Sequence, residues 1–240
     1  MNKLYIGFKK NVELPKGGCL VIDDEVRDVK RARVFDPLTH CFNPLQGIDY
    51  RKARQLAEIF YTAYPQGDNT LTVRNGKRAL LKALLEADRL DLIKGDEEVT
   101  ALIGDLLVSP VLKRMLCNPT DFSFNPRSTI LAKVDRAVLG EFDALLIGLL
   151  LMTEFQRQLV VPNLGFYGRD IHTALVREDR LIGGVNYLGE LPEKLRQSAL
   201  LMPDKVASGT TFEDAETLAL YSGLVPQTVE YNDFVAAAMR

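Results

Sequence analysis

Three adjacent acidic residues near the N-terminus are the first candidates for chemistry. Asp23, Asp24 and Glu25 directly follow the apolar run Cys19–Ile22. Carboxylates at such a position can hold a divalent metal ion and polarise a water molecule. Neighbouring residues on a strand point to opposite faces, so at most two of the three converge unless the strand has already ended. The triplet predicts a candidate metal site, and with it a metal-dependent phosphoesterase or nuclease; acids that merely end a strand at a solvated edge are the alternative.

A nucleotide-binding loop is the second chemistry for which the sequence can be tested. A P-loop needs glycine-rich backbone around the phosphates, a lysine on the β- and γ-phosphates and a hydroxyl residue on magnesium. The nearest match is Arg74–Arg78 (RNGKR), which we predict to open a helix. Leu71 stands where the first glycine is needed, and Arg78 replaces the hydroxyl residue. The segment therefore fails as a P-loop, and a Rossmann GxGxxG is also absent.

Cysteine and histidine chemistry is not indicated by the sequence. The three cysteines are widely spaced, the histidines number only two, and neither type forms a CxxC pair or a nucleophile motif. We therefore expect reduced thiols, no cofactor and a cytoplasmic location. The most apolar stretch, Ala144–Met152, is far shorter than the roughly 20 residues that cross a bilayer. It is expected to be a buried helix, and we expect no membrane span.

The overall charge limits the class of partner. Thirty basic and 32 acidic residues give a formal net charge of −2, which argues against a free-standing nucleic-acid coat but not against a local basic patch. The run Lys30–Arg33 (KRAR) could touch a phosphate backbone, a solvated loop being the alternative. DNA therefore stays open as a partner.

Short apolar strands alternate with helices along the chain. Cys19–Ile22, Gln158–Val161 and Leu181–Val185 are typical of strands buried on both faces of a parallel sheet. The middle of the chain has helical periodicity instead. We predict an α/β fold with a mostly parallel sheet, with residues 1–48 and 143–240 as the α/β core and residues 49–142 as an inserted helical subdomain.

Four segments, taken in order, resemble the core of the HerA/FtsK/VirD4 superfamily of DNA-translocating ATPases, especially the VirD4/TraG coupling proteins. Leu20–Asp23 is similar to the second strand of that core, and Val34–Pro37 with Phe42–Leu45 is similar to its FDP…FNPL signature. Leu159–Arg169 resembles the Walker B strand and the loop beyond it, and residues 182–216 resemble the sensor strand and the segments that follow. The resemblance implies a RecA-like fold.

The resemblance also identifies what this chain lacks. In the family, a strand, the Walker A loop and a helix precede the segment that Leu20–Asp23 matches, whereas here only Val12–Gly18 stands directly before it. The positions of the Walker B acids hold Pro162 and Asn163, which can neither bind magnesium as anions nor act as a base. We therefore expect a degenerate, non-hydrolysing pseudoenzyme with no catalytic residues and no assignable nucleotide site.

The expected role follows from the resemblance. It implies a structural or assembly subunit of a DNA-packaging or DNA-transfer machine, of phage or mobile-element origin, that forms a homo-oligomer or binds a partner ATPase or assembly protein. Ring ATPases complete their sites with an arginine from the neighbouring subunit, and Arg169, Arg177 and Arg180 are the candidates for that trans role. A protein-binding module that acts through the helical insertion is the remaining alternative.

Overall fold

The fold is built on one seven-stranded sheet. The computed structural model describes residues 3–7, 12–23, 29, 31–63, 70–154, 158–168, 180–202 and 204–240. The strands are β1 (Lys3–Ile6), β2 (Cys19–Asp23), β3 (Arg33–Phe35), β4 (Ile130–Lys133), β5 (Gln158–Val161), β6 (Leu181–Val185) and β7 (Asp204–Ala207). They lie in the order β3-β4-β2-β5-β6-β1-β7, and every pairing among them is parallel. The predicted α/β class and parallel sheet are confirmed.

Helices connect and cover the strands. In the described part of the chain the α-helices are α1 (Tyr50–Ala63), α2 (Thr70–Leu85), α3 (Glu97–Val108), α4 (Pro110–Cys117), α5 (Arg136–Leu139), α6 (Glu141–Glu154), α7 (Leu164–Tyr167), α8 (Glu193–Leu200), α9 (Phe212–Tyr221) and α10 (Val229–Ala238), with 3₁₀ turns at Leu90–Leu92 and Leu188–Glu190. Several begin at side-chain caps. Asp96 accepts a hydrogen bond from the Val99 amide at the start of α3, and Ser109 accepts one from the Leu112 amide at the start of α4.

The two faces of the sheet are covered differently. On one face, strand residues pack with α1 to α4 and α6 in a single large core. On the other, a smaller cluster that includes Tyr5, Cys19 and Ile182 packs against residues from connecting segments, among them Val12 and Val29. The apolar segment Ala144–Met152 lies in α6 and is mostly buried in the large core, as predicted. Within the described residues, no helix combines the length and apolar character needed to span a bilayer.

Strand β4 lies within the interval 49–142 that the sequence pattern assigns to a helical insertion. It pairs with β2 on one side and β3 on the other, so it belongs to the sheet. Its apolar run is too short for periodicity to separate strand from helix, and the two neighbouring strands decide its conformation. The described helices that precede it end with α4 at Cys117.

Candidate functional site

The carboxyl ends of the strands form one edge of the sheet, because all seven strands are parallel. In open α/β sheets ligands bind in the crevice outside this edge. Four positions deserve description there: Gly7 after β1, Asp23 at the end of β2, the turn at 162–163 after β5, and Asn186 after β6. We call this edge the carboxyl edge.

The end of β1 is closed in by neighbouring backbone. The Gly7 amide donates a hydrogen bond of 3.0 Å to the Val185 carbonyl, and the Ser208 amide donates one of 3.0 Å to the Ile6 carbonyl. Gly7 has a φ of +117°, and a Cβ at this position would lie 2.0 Å from the Ser208 carbonyl oxygen. Only glycine fits this conformation and this contact. We call this arrangement of Gly7, Val185 and Ser208 the β1 end.

The end of β5 carries no acid in the described structure. Pro162 and Asn163 form a turn directly after the strand, and α7 begins at the next residue. The Asn163 side chain makes no capping hydrogen bond, while its backbone carbonyl accepts one of 3.3 Å from the Phe166 amide. The two residues therefore lie at the carboxyl edge, where the resemblance places the Walker B acids, but they supply an apolar pyrrolidine ring and a neutral amide.

The end of β6 holds a polar cluster that the sequence analysis did not identify. Glu190 accepts hydrogen bonds from the Asn186 amide (3.0 Å) and from Asn186 Nδ2 (2.9 Å). Asp214, at the start of α9, accepts one of 3.0 Å from the Leu188 amide. Burial raises the pKa of Asp214, against the hydrogen bonds from Leu188 and Thr211, which lower it. The available signal in the sequence was the two acidic residues Glu190 and Asp214, which lie four and 28 residues after Asn186. Only the fold brings them close to Asn186.

A cavity of about 500 Å³ adjoins this cluster between α6 and α7. The Arg136 guanidinium lies 4.6 Å from the centre of the Phe166 ring, which forms part of the wall. Gly165 faces Glu190 so closely that a Cβ would lie 2.2 Å from Glu190 Oε2. The lining residues are Glu141, Phe142, Leu145, Gly165, Phe166, Gly168 and Glu190.

Of the three predicted metal ligands, the structure describes one. Asp23 is fully buried at the end of β2, and its backbone carbonyl accepts a hydrogen bond of 3.0 Å from the Val134 amide. Asp24 and Glu25 lie outside the described residues. Among those that are described, no group of three or more histidine, cysteine or acidic side chains could hold a metal ion.

Of the three candidate trans arginines, only Arg180 is described. It directly precedes β6, and its carbonyl accepts a hydrogen bond of 2.6 Å from Gln158 Nε2 at the start of β5. Arg180 therefore lies at the amino edge of the sheet, opposite the carboxyl edge of its own chain. Arg169 and Arg177 lie outside the described residues.

The segment RNGKR does not open a helix, contrary to the sequence prediction. It lies inside α2, which begins at Thr70, because helical packing extends the element beyond the apolar positions that predict its start. Lys77 Nζ pairs with Glu58 Oε2 of α1 at 2.5 Å. A Cβ on Gly76 would lie 2.0 Å from the Tyr61 hydroxyl, and burial, followed by the neighbouring Glu98, raises the pKa of that hydroxyl. Glycine and lysine here serve packing between helices, as the failed P-loop pattern indicates.

The loop that carries the FDP…FNPL residues is hydrogen-bonded to residues 88 and 120 in the middle of the chain. Asn43 is 3% exposed. Its Nδ2 donates a hydrogen bond of 2.9 Å to the Asp88 carbonyl, and its Oδ1 accepts one of 3.0 Å from the Leu45 amide. The Asn43 amide donates 2.9 Å to Thr120 Oγ1. We call residues 36–46 with residues 118–124 the β3 junction.

Aromatic rings fill the space under the β3 junction. Phe35 at the end of β3 lies edge-on to Phe122, with ring centres 5.3 Å apart, and Phe124 lies 5.0 Å from Phe122. Arg114 donates hydrogen bonds to the carbonyls of Pro37 and Leu38. The conspicuous signature residues of this segment therefore have packing and hydrogen-bonding roles.

Comparisons with solved structures agree with this geometry. VirB4 of Thermoanaerobacter pseudethanolicus matches with a TM-score of 0.59 at 14% identity, over 99% of this chain and 84% of that one. The bacterial conjugative coupling protein TrwBdeltaN70, in its trigonal form with sulphate, matches with a TM-score of 0.56 at 12% identity, over 91% and 73%. Its unbound monoclinic form gives 0.51 at 12% identity, over 82% and 66%. No protein-family model matches the sequence, and a search of curated proteins found no match.

The chain therefore has a RecA-like fold. The structural likeness to the VirD4/TraG type, which the four ordered segments predict, is confirmed at the level of the fold.

Proposed function

We propose that this protein is a non-hydrolysing, ATPase-like subunit with a structural or assembly role in a DNA-transfer or DNA-packaging machine of a mobile element or phage. The observation that carries the proposal is the connection between β1 and β2. The resemblance puts the Walker A loop and its helix in this connection, and residues 7–18 are all that the chain has there.

Distances explain why this connection cannot hold a Walker A loop and a helix. To reach β2, the chain must cross β6 and β5, three strand spacings of about 4.8 Å each, or roughly 14 Å. It must also return along the length of a strand, because β1 and β2 run in the same direction. A dozen residues span at most about 40 Å when fully extended. A P-loop takes about eight residues, and the remaining four or so cannot form a helix and complete the crossing.

The β5 position supports the same proposal independently. Magnesium is bound by anionic oxygens, and the turn after β5 offers Pro162 and Asn163. The residues that the resemblance leads one to expect are missing at two separate points of the carboxyl edge, after β1 and after β5. Divergence of a single motif would explain one of these absences. The two together favour a lineage that no longer hydrolyses nucleotide.

The proposed machine follows from the fold relatives. The similar solved structures are a VirB4 and a bacterial conjugative coupling protein, and we infer a related setting for this chain. In that setting it would assemble with copies of itself or with a partner ATPase. Arg180, at the amino edge, would then face the site of a neighbouring subunit and not the carboxyl edge of its own chain. Arg169 and Arg177, which lie outside the described residues, stay candidates for the same role.

Phosphate release from Mg-ATP tests the proposal. We expect no turnover by the wild type, alone or with DNA. The double variant Pro162→Asp/Asn163→Glu, which restores two acids at the end of β5, is also expected to be inactive because the β1 end still lacks a phosphate-binding loop. Turnover by the wild type, abolished by Pro162→Ala/Asn163→Ala, would overturn the proposal.

The metal-site hypothesis stays a prediction with its own test. Asp23 is buried at the carboxyl edge, and Asp24 and Glu25 lie outside the described residues. Calorimetric titration with Mn²⁺ should show binding that Asp23→Asn and Asp24→Asn remove, if these acids form a phosphoesterase or nuclease site. Absence of binding by the folded wild type would end that alternative.

A further inference from the structure

The strand at one end of the sheet, β7 (Asp204–Ala207), has a free edge. It pairs with β1 alone. In a parallel ladder, the amide and the carbonyl of one residue point to the same neighbouring strand, and successive residues alternate between the two sides. The Ser208 amide donates its hydrogen bond to the Ile6 carbonyl of β1. The backbone groups of Lys205 and Ala207 therefore point away from the sheet.

These outward backbone groups are open to a further strand. Among the described residues, none forms a hydrogen bond with the amide or the carbonyl of Lys205 or Ala207. A lysine often protects an edge strand by projecting over it. Here Lys205 Nζ instead donates hydrogen bonds to the carbonyls of Leu200 (3.1 Å) and Met202 (2.6 Å), so its charge is held at the end of α8. We call the outward backbone of Lys205 and Ala207 the β7 edge.

A groove of about 440 Å³ adjoins the β7 edge and lies between α9 and α10. Its walls are mainly apolar, with Leu218 and Tyr221 from α9 and Phe234 and Ala237 from α10, and Ala207 also lines it. Since alternate residues of a strand share a face, every second side chain of a strand added at this edge would face the groove. The volume is in the range of ligand pockets, roughly 300–1,000 Å³.

Contacts behind the groove hold its two walls together. Ala215 and Ala219 of α9 and Val235 of α10 lie in one buried cluster. The Thr210 amide and Thr210 Oγ1 each donate a hydrogen bond of 3.1 Å to the Ala238 carbonyl at the end of α10. The groove therefore exists without a partner.

Exposed apolar side chains are concentrated in this part of the chain. Residues 201–240 are one sixth of the sequence, yet they contain eight of the 17 large apolar side chains that are exposed in the described chain. Val206 on β7 and Tyr221 in the groove wall are two of them, at 38% and 50% exposed. Apolar side chains gathered on one part of a surface are typical of interaction sites.

The charge around the groove is negative. Residues 204–240 contain six acidic and two basic residues. Glu230 and Asp233 are exposed on α10, two turns and one turn before Ala237, so they lie on the same face of the helix as this groove residue. Asp204 is exposed at the start of β7. A basic partner complements this surface, whereas an acidic peptide or a nucleic acid is repelled by it.

A second copy of the chain does not suit the β7 edge. The opposite edge strand, β3 (Arg33–Phe35), has three residues, and the hydrogen bond from the Arg33 amide to the Thr129 carbonyl shows that Arg33 and Phe35 face β4. Only Val34 of this strand therefore presents its backbone outward. Pairing between the β7 strands of two copies would bring the same acidic residues together, which is unfavourable.

We propose that the β7 edge binds an extended segment of a partner protein, which adds to the sheet as a further strand and carries both apolar and basic side chains. In this mode of recognition, backbone hydrogen bonds supply affinity and pockets for alternate side chains supply specificity. Lys205 and Ala207 offer the backbone groups, the groove takes the apolar side chains, and Glu230 and Asp233 attract the basic ones. The inference goes beyond the proposed function and requires neither the presence nor the absence of ATP hydrolysis.

Selection from a phage-displayed library of random peptides, with the immobilised full-length protein as the target, tests the inference. We expect the enriched peptides to combine apolar residues at alternate positions with lysine or arginine. The enriched peptides are then synthesised with a fluorescent label and titrated with the protein by fluorescence anisotropy, so that affinities can be compared among variants.

The variant Ala207→Pro removes the outward amide from the β7 edge. Proline is tolerated on an edge strand where the N–H faces solvent, so the pairing of β7 with β1 should persist. We expect the affinity for the selected peptides to fall about tenfold, because a backbone hydrogen bond is lost and the proline ring obstructs the added strand. Val34→Pro, the same change at the outward residue of β3, is the matched control and should leave the affinity unchanged.

The variant Glu230→Gln/Asp233→Asn tests the preference for basic peptides. It should weaken their binding about threefold at low salt and reduce the dependence of affinity on salt. Glu86→Gln/Glu97→Gln, which removes two exposed acids elsewhere, should change neither. Circular dichroism checks that each variant is folded; if Ala207→Pro does not fold, the two charge variants decide.

Four results would overturn the inference. They are enrichment of no common pattern or of acidic peptides, unchanged affinity in folded Ala207→Pro, an equal loss in Val34→Pro, and equal losses in the two charge variants. Light scattering covers the remaining occupant, because a wild-type dimer that Ala207→Pro abolishes would assign the β7 edge to a second copy and overturn the inference too. ATP turnover, by contrast, would overturn the proposed function and leave this inference standing.

Discussion

The β3 junction and the β1 end are both loops at the carboxyl edge, and they differ in how they are held. In the β3 junction, the buried Asn43 is hydrogen-bonded through its side chain and its backbone. In the β1 end, Gly7 is held by backbone contacts with Val185 of β6 and with Ser208, the residue after β7. The difference indicates that side-chain hydrogen bonds fix the first loop, whereas a backbone conformation that favours glycine fixes the second.

The largest expected effect comes from a substitution in the β1 end. Gly7→Ala combines a positive φ with a contact on the rigid Ser208 carbonyl, so we expect a loss of about 3 kcal/mol in the free energy of unfolding. Gly17 has a similar φ of +119° but open space around it, so Gly17→Ala should cost only about 1 kcal/mol. Urea unfolding of both variants measures the difference. Equal losses would show that the β1 end is not closed in as described.

The next effect tests the β3 junction. Asn43→Ala leaves the Asp88 carbonyl and the Leu45 amide without their partner, which should cost about 2 kcal/mol. Gln46→Ala, in the same loop, removes one exposed hydrogen bond to the Thr120 amide and should cost less than about 1 kcal/mol. If the two substitutions were equally mild, the buried hydrogen bonds of Asn43 would not stabilise the β3 junction.

The strands of the sheet show which parts of the fold can be predicted from the sequence. The long apolar runs of β2, β5 and β6 predict buried parallel strands because the pattern needs no partner to be recognised. Strand β4 is missed because its apolar run is short and its two neighbours, β2 and β3, determine its conformation.

Residues that act through distant partners are likewise hard to predict. Asn186, Glu190 and Asp214 meet only after β6 and α9 have packed, and Asn43 gains its role from Asp88 and Thr120 far along the chain. The absence of acids at 162–163, by contrast, is visible in the sequence alone. Residue types at given positions can therefore be read from the sequence here, whereas contacts between distant segments cannot.

A smaller effect concerns the polar cluster after β6, around Asp214. Burial raises the pKa of this carboxyl in the folded state, so folding favours its protonated form. Its contribution to stability is therefore greatest below the unfolded pKa of about 3.9 and falls as the pH rises through the folded pKa. The free energy of unfolding of Asp214→Asn, relative to the wild type, should increase between pH 4 and pH 7.

Chemical denaturation at several pH values measures this trend. Glu213→Gln, which removes the exposed neighbouring carboxylate, serves as the control. The stability of Asp214→Asn relative to the wild type could instead stay constant or fall over this range. That result would contradict the conclusion that burial of the Asp214 carboxylate after β6 destabilises its charged form.

The smallest expected effect concerns the lysine of RNGKR. Lys77→Met removes a partly exposed ion pair with Glu58, which should change the free energy of unfolding by less than about 1 kcal/mol. Since Lys77 lies within α2 and pairs with Glu58 of α1, any binding of ATP should be unaffected. A loss of ATP affinity in this variant alone would mean that a phosphate site exists where the structure has a helix contact.

Equilibrium binding of Mg-ATP to the purified full-length protein, measured by isothermal titration calorimetry, tests the central claim most directly. The short β1–β2 connection predicts no saturable binding up to millimolar nucleotide. A micromolar dissociation constant with one site per chain, lost in Gly7→Ala but not in Gly17→Ala, would contradict the claim, because a triphosphate would then be held at the end of β1 after all.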